Sequence, residues 1–312
     1  MWPKIALVSF GALLIGLLGA EVSARLLGYA PAVDTRVTSP WTAFDTELGW
    51  INNPGAHLSS GTGLATIEAD GSRRTKRRPV ANPRGVVLVL GCSYTLGFGV
   101  DDQDAFAFKL QERFPDYDVE NFGTAAYGTY QSLLRFRRFL REGHPAPALV
   151  VFGFAEFHGA RDRATRNFMG NTRGYIAPHV DLVNGALVEK PGRFTPMSAP
   201  ARVSALWNLA EWNYKREFEY APDDAKTIEV HRATLQQLRR EVESAGSKLL
   251  IADLWVAAPS RPSWHEFFQS QGFRVAECVG DRLPFAHPDL FWNFRHADCV
   301  EQAVREDRLL DD

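Results

Sequence analysis

Short apolar segments alternate with amphipathic helical segments after Pro83, and this alternation constrains the fold most strongly. Val86 to Leu90 is a continuous apolar run, which is typical of a strand covered on both faces. The pattern predicts further strands at residues 117–121, 148–154, 248–255 and 273–278, and helices starting near residues 104, 129, 224 and 297. Strands joined through helices form a parallel sheet with helices on both faces. We therefore expect an α/β fold, a three-layer sandwich with a mostly parallel five-stranded sheet.

The N-terminus carries an uncharged apolar run from Ile5 to Ala20. As a helix this run spans about 24 Å, slightly less than the ~30 Å hydrocarbon core of a bilayer. A cleaved signal peptide is one interpretation, because Val22-Ser23-Ala24 is an acceptable cleavage site. The apolar pattern continues past that site, so we favour an uncleaved transmembrane anchor within residues 1–30. We expect the rest of the chain in the periplasm or at the cell exterior.

Two further segments have no sustained period. Residues 31–83 are rich in Gly, Pro, Ser and Thr, and we expect an irregular extension. It includes the basic run 73–78, which we expect to be a solvated loop, although such runs also contact anionic lipids. Residues 160–222 are expected to be an insertion, or loops over the site, within a domain formed by residues 84–312.

Charge and cysteine content exclude several classes of protein. The chain has 35 Lys and Arg against 37 Asp and Glu, so no basic field predicts nucleic-acid binding. Three cysteines are too few for a disulfide framework. Cys278 and Cys299 are able to pair outside the cytoplasm, but nothing in the sequence requires it. No Cys and His spacing is typical of zinc, and we expect no metal.

Chemistry in such a sheet is expected at the carboxyl ends of the strands. The first strand is followed by GCSYTLGFG, residues 91–99. A serine in this Gly-rich turn has an accessible hydroxyl and backbone N–H groups nearby, as a nucleophile with an oxyanion hole requires. Ser93 is therefore the candidate nucleophile. The turn is neither a G-x-S-x-G elbow, because Thr95 replaces the second glycine, nor a phosphate loop.

These residues resemble two blocks of the SGNH (GDSL-type) hydrolases. The family's first block is G-D-S-x-T-x-G-x-G, and Cys92 is the single departure from it in residues 91–99. Residues 121–131 resemble the second block, N-x-G-x-x-G-Y-G-T-x-Q, with Ala126 at the family's oxyanion glycine. The resemblance covers about residues 84–308. It implies an SGNH (flavodoxin-like) sandwich. It also implies an oxyanion hole made by N–H groups of Ser93 and of Ala126 or Gly128, with Gly91 as a supporting residue of the site.

The third block departs from the family pattern. The family's G-x-N-D, whose Asn donates to the oxyanion, falls on Gly153 to Glu156, where Ala155 has no donor. Loss of one oxyanion donor typically lowers the rate ~100- to 1000-fold. His158 or Arg161 is a possible substitute. We favour the alternative that both form a salt-bridge cluster with Glu156 and Asp162.

The last block, D-x-x-H-P in the family, resembles His287-Pro288. The residues six and ten positions later also fit, and this spacing favours His287 over His296 as the general base. The family's aspartate is absent, since Pro284 stands in its place. Asp289, Asp281 or a backbone carbonyl is left to orient the imidazole.

The resemblance implies a membrane-anchored serine ester hydrolase without a cofactor. Its expected substrates are O-acyl esters, acetyl esters among them, of envelope glycans or lipids. Ser93 attacks the acyl carbon, and His287 takes its proton and returns it to the leaving alcohol. One alternative is a degenerate domain that binds a glycan or protein partner without turnover, which Ala155 and the missing aspartate favour. The other alternative is an O-acyltransferase. The expected partners are thus an acylated carbohydrate or lipid and the membrane, and not nucleic acid.

Overall fold

A computed structural model describes residues 2–33, 39–60, 63–169, 175–278 and 287–311. Its helices are α1 (Trp2–Leu26), α2 (Ser93–Leu96), α3 (Phe106–Arg113), α4 (Thr129–Arg141), α5 (His158–Asp162), α6 (Arg166–Met169), α7 (Ala205–Phe218), α8 (Ala225–Ser244), α9 (Arg261–Ser270) and α10 (Leu290–Glu306). Its strands are β1 (Thr42–Asp45), β2 (Gly49–Asn52), β3 (His57–Ser60), β4 (Gly63–Thr66), β5 (Val86–Gly91), β6 (Asp118–Asn121), β7 (Leu149–Ala155), β8 (Tyr175–Ile176), β9 (His179–Val183), β10 (Ala186–Lys190), β11 (Arg193–Phe194), β12 (Lys248–Trp255) and β13 (Val275–Ala276).

Five of these strands form one parallel sheet, in the order β13-β12-β7-β5-β6. Alternate residues of the central strand β7 face two different helical layers. Leu149 and Val151 belong to the core that includes residues of α3 and α10. Phe154 instead contacts His231 of α8 and Phe268 of α9, with ring centroids 5.2 Å away in both cases. The expected α/β fold with a five-stranded parallel sheet is confirmed.

The last helix begins earlier than the sequence pattern predicts. We expected a start near Ala297, but α10 begins at Leu290. Asp289 is its N-cap, and the carboxylate accepts the N–H of Trp292 at 3.0 Å. An N-cap carboxylate stabilises a helix start by satisfying an N–H that has no intrahelical acceptor. Asp289 therefore has a structural role as the cap of this helix.

Residues 39–66 contain two antiparallel hairpins, β1–β2 and β3–β4. The basic run that follows is not wholly a solvated loop, and that expectation is wrong for Arg73, which is 1% exposed. The Arg73 guanidinium donates to the carbonyls of Leu96 at 2.8 Å and Val100 at 2.7 Å, and also to that of Gly97. These carbonyls belong to the last residue of the short helix α2 and to the residues after it, so a buried cation satisfies them.

The chain divides into two compact units. The larger one is formed by Val37–Ala164, Ala177–Gly192 and Asp223–Asp312, and it contains the central sheet. The smaller one is formed by Met1–Arg36, Thr165–Ile176 and Arg193–Pro222. It contains α1, the short β8–β11 pair and α7, a helix that we did not predict from the sequence.

Among the described residues, α1 is the one helix long and apolar enough to span a bilayer. Its C-terminal end is bound within the smaller unit. The Glu21 carboxylate accepts hydrogen bonds from the Ser204 hydroxyl at 2.7 Å and from the N–H groups of Ala205 at 3.0 Å and Leu206 at 2.9 Å. Glu21 therefore supplies acceptors for N–H groups in the first turn of α7, which have no carbonyl partner within the helix.

The centre of the sheet depends on a glycine at position 153. A Cβ there would lie 2.1 Å from the Thr95 Oγ1 atom. Gly153→Ala should lower the free energy of unfolding by about 1–3 kcal/mol through overpacking. Thr95→Ala in the same chain removes that clash, so the double variant should be less destabilised than the sum of the two single variants. Urea unfolding of the four proteins measures this coupling, and strict additivity would contradict it.

Candidate active site

Ser93 lies two residues after Gly91, the last residue of β5, and is the first residue of α2. The strand ends at Gly91, whose φ of +149° falls in a region that L side chains rarely adopt. A Cβ at Gly91 would also lie 2.2 Å from the Thr95 Oγ1 atom. A glycine is therefore required at position 91, two residues before Ser93, as the motif predicts. The Ser93 N–H stands at the start of a helix, where no intrahelical carbonyl is available to it.

The structure brings Ser93 and His287 together across 194 positions of sequence. The Nε2 atom of His287 lies 3.1 Å from the Ser93 Oγ atom. The serine hydroxyl donates in this contact when the imidazole carries its proton on Nδ1. The imidazole is also flanked by the rings of Tyr94 at 5.6 Å and Phe98 at 4.8 Å between centroids. The other candidate, His296, is fully buried against Phe106.

Burial and a nearby cation favour the neutral form of the His287 imidazole. The pKa of His287 is lowered from its ordinary value, first by burial and then by the positive charge of Arg161. The Arg161 guanidinium lies 4.4 Å from the centroid of the Phe157 ring and donates to the Tyr127 carbonyl at 2.8 Å. A neutral imidazole is the form that accepts a proton from serine.

No carboxylate among the described residues hydrogen-bonds to His287. Asp289 caps α10 and accepts the N–H of Trp292 there. Asp281, the other acid considered, and Pro284 lie outside the described residues, as does the whole segment 279–286. In the described part of the chain, the imidazole is therefore oriented by the two flanking rings and by Ser93.

The second predicted block forms the loop between β6 and α4 and is hydrogen-bonded to the Gly-rich turn of residues 91–99. The Thr124 N–H donates to the Gly91 carbonyl at 3.0 Å. The Asn121 side-chain amide donates to the Thr95 carbonyl, also at 3.0 Å. Both bonds join the residues around Ser93 to the loop in which the oxyanion donors were expected.

The ends of this loop explain two of its residues. Ala126 has a φ of +64°, a left-handed conformation that favours glycine, which the family has at this position. Gly128 is the N-cap of α4, and a Cβ there would lie 2.3 Å from the Asp162 Oδ1 atom. That same oxygen accepts the N–H of Tyr130 at 2.7 Å. Asp162 therefore fixes the first turn of α4 and leaves room only for a glycine before it.

The salt-bridge cluster expected around the third block is not formed by the described residues. His158 is 0% exposed and packs against Phe152, Phe154 and Phe157, and its Nδ1 faces the Ala155 N–H at 3.4 Å. Burial lowers the pKa of His158 well below its ordinary value. His158 is thus a neutral core residue in this structure.

Asp162 belongs to a buried polar group that we did not predict from the sequence. The Thr129 hydroxyl lies 2.9 Å from Nε2 of His231, and the Asp162 carboxylate lies 3.9 Å from the same nitrogen. Burial raises the pKa of Asp162 to about 7 and lowers that of His231 to about 3. Thr129, Asp162 and His231 are far apart in the sequence. The group is recognised only in the structure, where α4, α5 and α8 bury the three side chains together.

Two side chains of β2 also support the loop. The Trp50 indole N–H donates to the Ala125 carbonyl at 2.8 Å, and the Asn52 amide donates to the Gly123 carbonyl at 3.0 Å. Neither residue was predicted to contribute, because the segment 31–83 gives no strand signal. The DTELGWINN segment therefore packs beneath the loop that carries Ala126 and Gly128.

Cys278 and Cys299 form a disulfide, with 5.6 Å between their Cα atoms. The sequence left this pairing open. The bond closes a loop of 21 residues that contains His287 and the start of α10. Cys92, next to the nucleophile, is free and buried.

Neither a protein-family model nor a curated protein matches this chain. Solved structures similar to it include TesA, with 17% identity over 71% of this chain and 98% of that chain and a TM-score of 0.42. A putative lipolytic protein of the G-D-S-L family from Desulfitobacterium hafniense DCB-2 has 10% identity over 70% and 99% of the two chains and a TM-score of 0.40. A catalytic mutant of Axe2, an acetylxylan esterase from Geobacillus stearothermophilus, has 9% identity over 72% and 96% and a TM-score of 0.40.

These structures include members of the G-D-S-L family, the same family that the sequence motifs resemble. Their identities and TM-scores are low, and they carry no information about the reaction of this chain. The reaction has to be inferred from the site itself.

The influence of Arg161 on His287 is testable by titration. Arg161→Gln removes the positive charge that lowers the pKa of His287, so this pKa should rise towards its ordinary value. The neutral, proton-accepting fraction at a given acidic pH should then be smaller in the variant. NMR titration of the histidine ring signals measures the shift, with Arg141→Gln, an exposed arginine paired with Glu47, as the control. An unchanged pKa in Arg161→Gln would contradict the assignment.

The disulfide should stabilise the segment that carries His287. Replacing Cys278 and Cys299 by alanine releases a 21-residue loop, which should lower the free energy of unfolding by ~3 kcal/mol through the entropy of the unfolded chain. Denaturant unfolding of the double variant and of the reduced parent checks this. Equal stability of the reduced and oxidised parent would show that the bond does not constrain the unfolded chain.

Proposed function

We propose that this chain is a serine ester hydrolase of the SGNH (GDSL) type. The observation that carries the proposal is the 3.1 Å contact between the Ser93 Oγ and the His287 Nε2 atoms. The serine, 8% exposed, stands between a buried strand and a helix, a placement that sets a nucleophile beside backbone N–H groups. The lowered pKa of His287 favours the neutral imidazole, which is the form that a general base needs.

The two residues divide the reaction between them. The Ser93 oxygen forms a bond to the acyl carbon while its proton passes to Nε2 of His287. The resulting tetrahedral oxyanion collapses, the ester C–O bond breaks, and His287 returns the proton to the leaving alcohol. Water then attacks the acyl carbon while His287 accepts one of its protons. The bond between that carbon and the Ser93 oxygen breaks, His287 returns the proton to this oxygen, and the carboxylic acid leaves. Each step conserves its protons without a cofactor.

The oxyanion is stabilised in this proposal by backbone N–H groups and by a cation. The Ser93 N–H begins α2, and the loop that ends in Ala126 and Gly128 is hydrogen-bonded to the same turn. The neighbouring Ala155 side chain has no donor to offer. The charge of Arg161, which acts on His287, favours the negative oxygen that develops in the transition state.

The anchor and the disulfide support an extracytoplasmic location. Glu21 and Arg25 bind residues 203–206, so cleavage after Ala24 would remove Glu21 from a folded unit. Uncleaved α1 therefore serves as a transmembrane anchor. Disulfides form and persist outside the cytoplasm. The substrates of such an enzyme are O-acyl esters of envelope glycans or lipids.

A second candidate is a domain that binds an acylated glycan or a protein partner without turnover. Two observations favour it, namely Ala155 in place of the amide donor and the absence, among the described residues, of a carboxylate bound to His287. An O-acyltransferase is a third candidate, because it uses the same acyl-serine but transfers the acyl group to an alcohol rather than to water.

Reaction of the full chain in detergent with a fluorophosphonate probe tests the proposal. Intact mass should show one adduct on Ser93 in the parent and in Ser270→Ala, a control at an exposed serine of α9. Ser93→Ala should not react, and His287→Ala should react at least ~100-fold more slowly because the general base is lost. A folded parent that does not react would favour the binding domain. Labelling without ester hydrolysis, together with a stable acyl-enzyme, would favour the acyltransferase.

A further inference from the structure

The helix α7 exposes an apolar stripe along one side. Trp207, Tyr214 and Phe218 are 53%, 61% and 72% exposed, and Val203, just before the helix, is 72% exposed. The spacing of the three helical residues, seven and four positions apart, places Trp207, Tyr214 and Phe218 on one side of α7. The Tyr214 and Phe218 rings pack against each other, with centroids 4.9 Å apart. Tyr214 and Phe218 therefore form one apolar surface at the C-terminal end of the stripe.

The opposite side of α7 holds the helix within its unit. Ala205, Asn208 and Lys215 are buried there. The Lys215 ammonium donates to the carbonyls of Thr195 at 2.9 Å and Pro196 at 3.1 Å, and the Asn208 amide donates to the Ala30 carbonyl at 2.8 Å. Because α7 already packs within its unit through this buried side, the exposed stripe is a second, separate surface of the helix.

The start of α7 lies at the end of the apolar part of α1. Glu21 follows directly after the uncharged run Ile5 to Ala20, and it binds the Ser204 hydroxyl and the N–H groups of the first turn of α7. Arg25 donates to the Val203 carbonyl at 3.0 Å. If α1 spans a bilayer, the first charged residue after the apolar run stands at the lipid headgroups, and so does the start of α7.

We propose that the stripe formed by Val203, Trp207, Tyr214 and Phe218 lies in the headgroup region of the bilayer that α1 crosses. Tryptophan and tyrosine favour this region because their rings are apolar and carry one polar group. The Trp207 indole N–H donates to the Ser198 hydroxyl at 3.1 Å, which satisfies its polar atom and leaves the ring free to contact lipid. The inference rests on the proposed insertion of α1.

Two cysteine variants of the full chain test the proposal in phosphatidylcholine and phosphatidylglycerol vesicles. Tyr214→Cys lies in the stripe, and Arg216→Cys lies on another side of the same helix. Each is labelled with the environment-sensitive fluorophore NBD, since Cys92 is buried and the other cysteines are paired. Lipids with a nitroxide near the headgroup should quench the label at position 214 several-fold more than the label at 216. Equally weak quenching at both positions would overturn the proposal.

A label-free comparison covers the case in which a labelled variant does not fold. Trp207→Phe should remove part of the tryptophan emission that brominated lipid quenches, whereas Trp212→Phe, on the packing side of α7, should leave that part unchanged. Identical quenching in both variants would overturn the proposal. Alkaline carbonate extraction measures the insertion of α1 separately. An inserted chain with an unquenched stripe rejects only the inference about α7, whereas a chain released by carbonate rejects the anchor as well.

Discussion

Thr95 packs where three parts of the chain meet, and this contact requires two glycines. Cβ atoms at Gly91 and Gly153 would lie 2.2 and 2.1 Å from its Oγ1 atom. The contact therefore allows the ends of β5 and β7 to sit beside the turn that carries Ser93. A protein interior is packed too densely to absorb an added methyl group at such a point. The Gly, Ser and Thr positions of the motif thus describe one packing arrangement as well as a reaction.

The second constraint is electrostatic and concerns how His287 is held. A triad aspartate normally fixes the tautomer and orientation of the imidazole. Here the described residues supply two aromatic rings that restrict its rotation and a cation that favours its neutral form. In the proposed reaction, the rings restrict rotation but do not stabilise the imidazolium that forms when Ser93 loses its proton. There the Arg161 charge disfavours the imidazolium and favours the oxyanion, so its net effect on the rate is the balance of two opposing effects.

The sequence predicted the sheet and the nucleophile turn because both depend on local patterns. Strand β12 was predicted at its observed bounds, and Ser93 lies where the Gly-rich turn places it. The hairpins of residues 39–66 were not predicted, because their strands are four residues long and lack a clear period. The role of Arg73 was also not predicted. Arg73 is buried there because distant carbonyls and the Asp102 carboxylate, 3.2 Å from its Nε atom, surround it, and a pattern of neighbouring residues does not contain that information.

The N-terminal helix α1 is hydrogen-bonded to another helix of the same unit. Glu21 caps the first turn of α7, Arg25 donates to the Val203 carbonyl, and Asn208 donates to the Ala30 carbonyl beyond the end of α1. A flexible linker after α1 would leave this helix free to rotate relative to α7. Hydrogen bonds on both sides of Leu26 instead hold the two helices together. If α1 crosses a bilayer as proposed, Glu21 therefore also fixes how the first turn of α7 is oriented at the membrane surface.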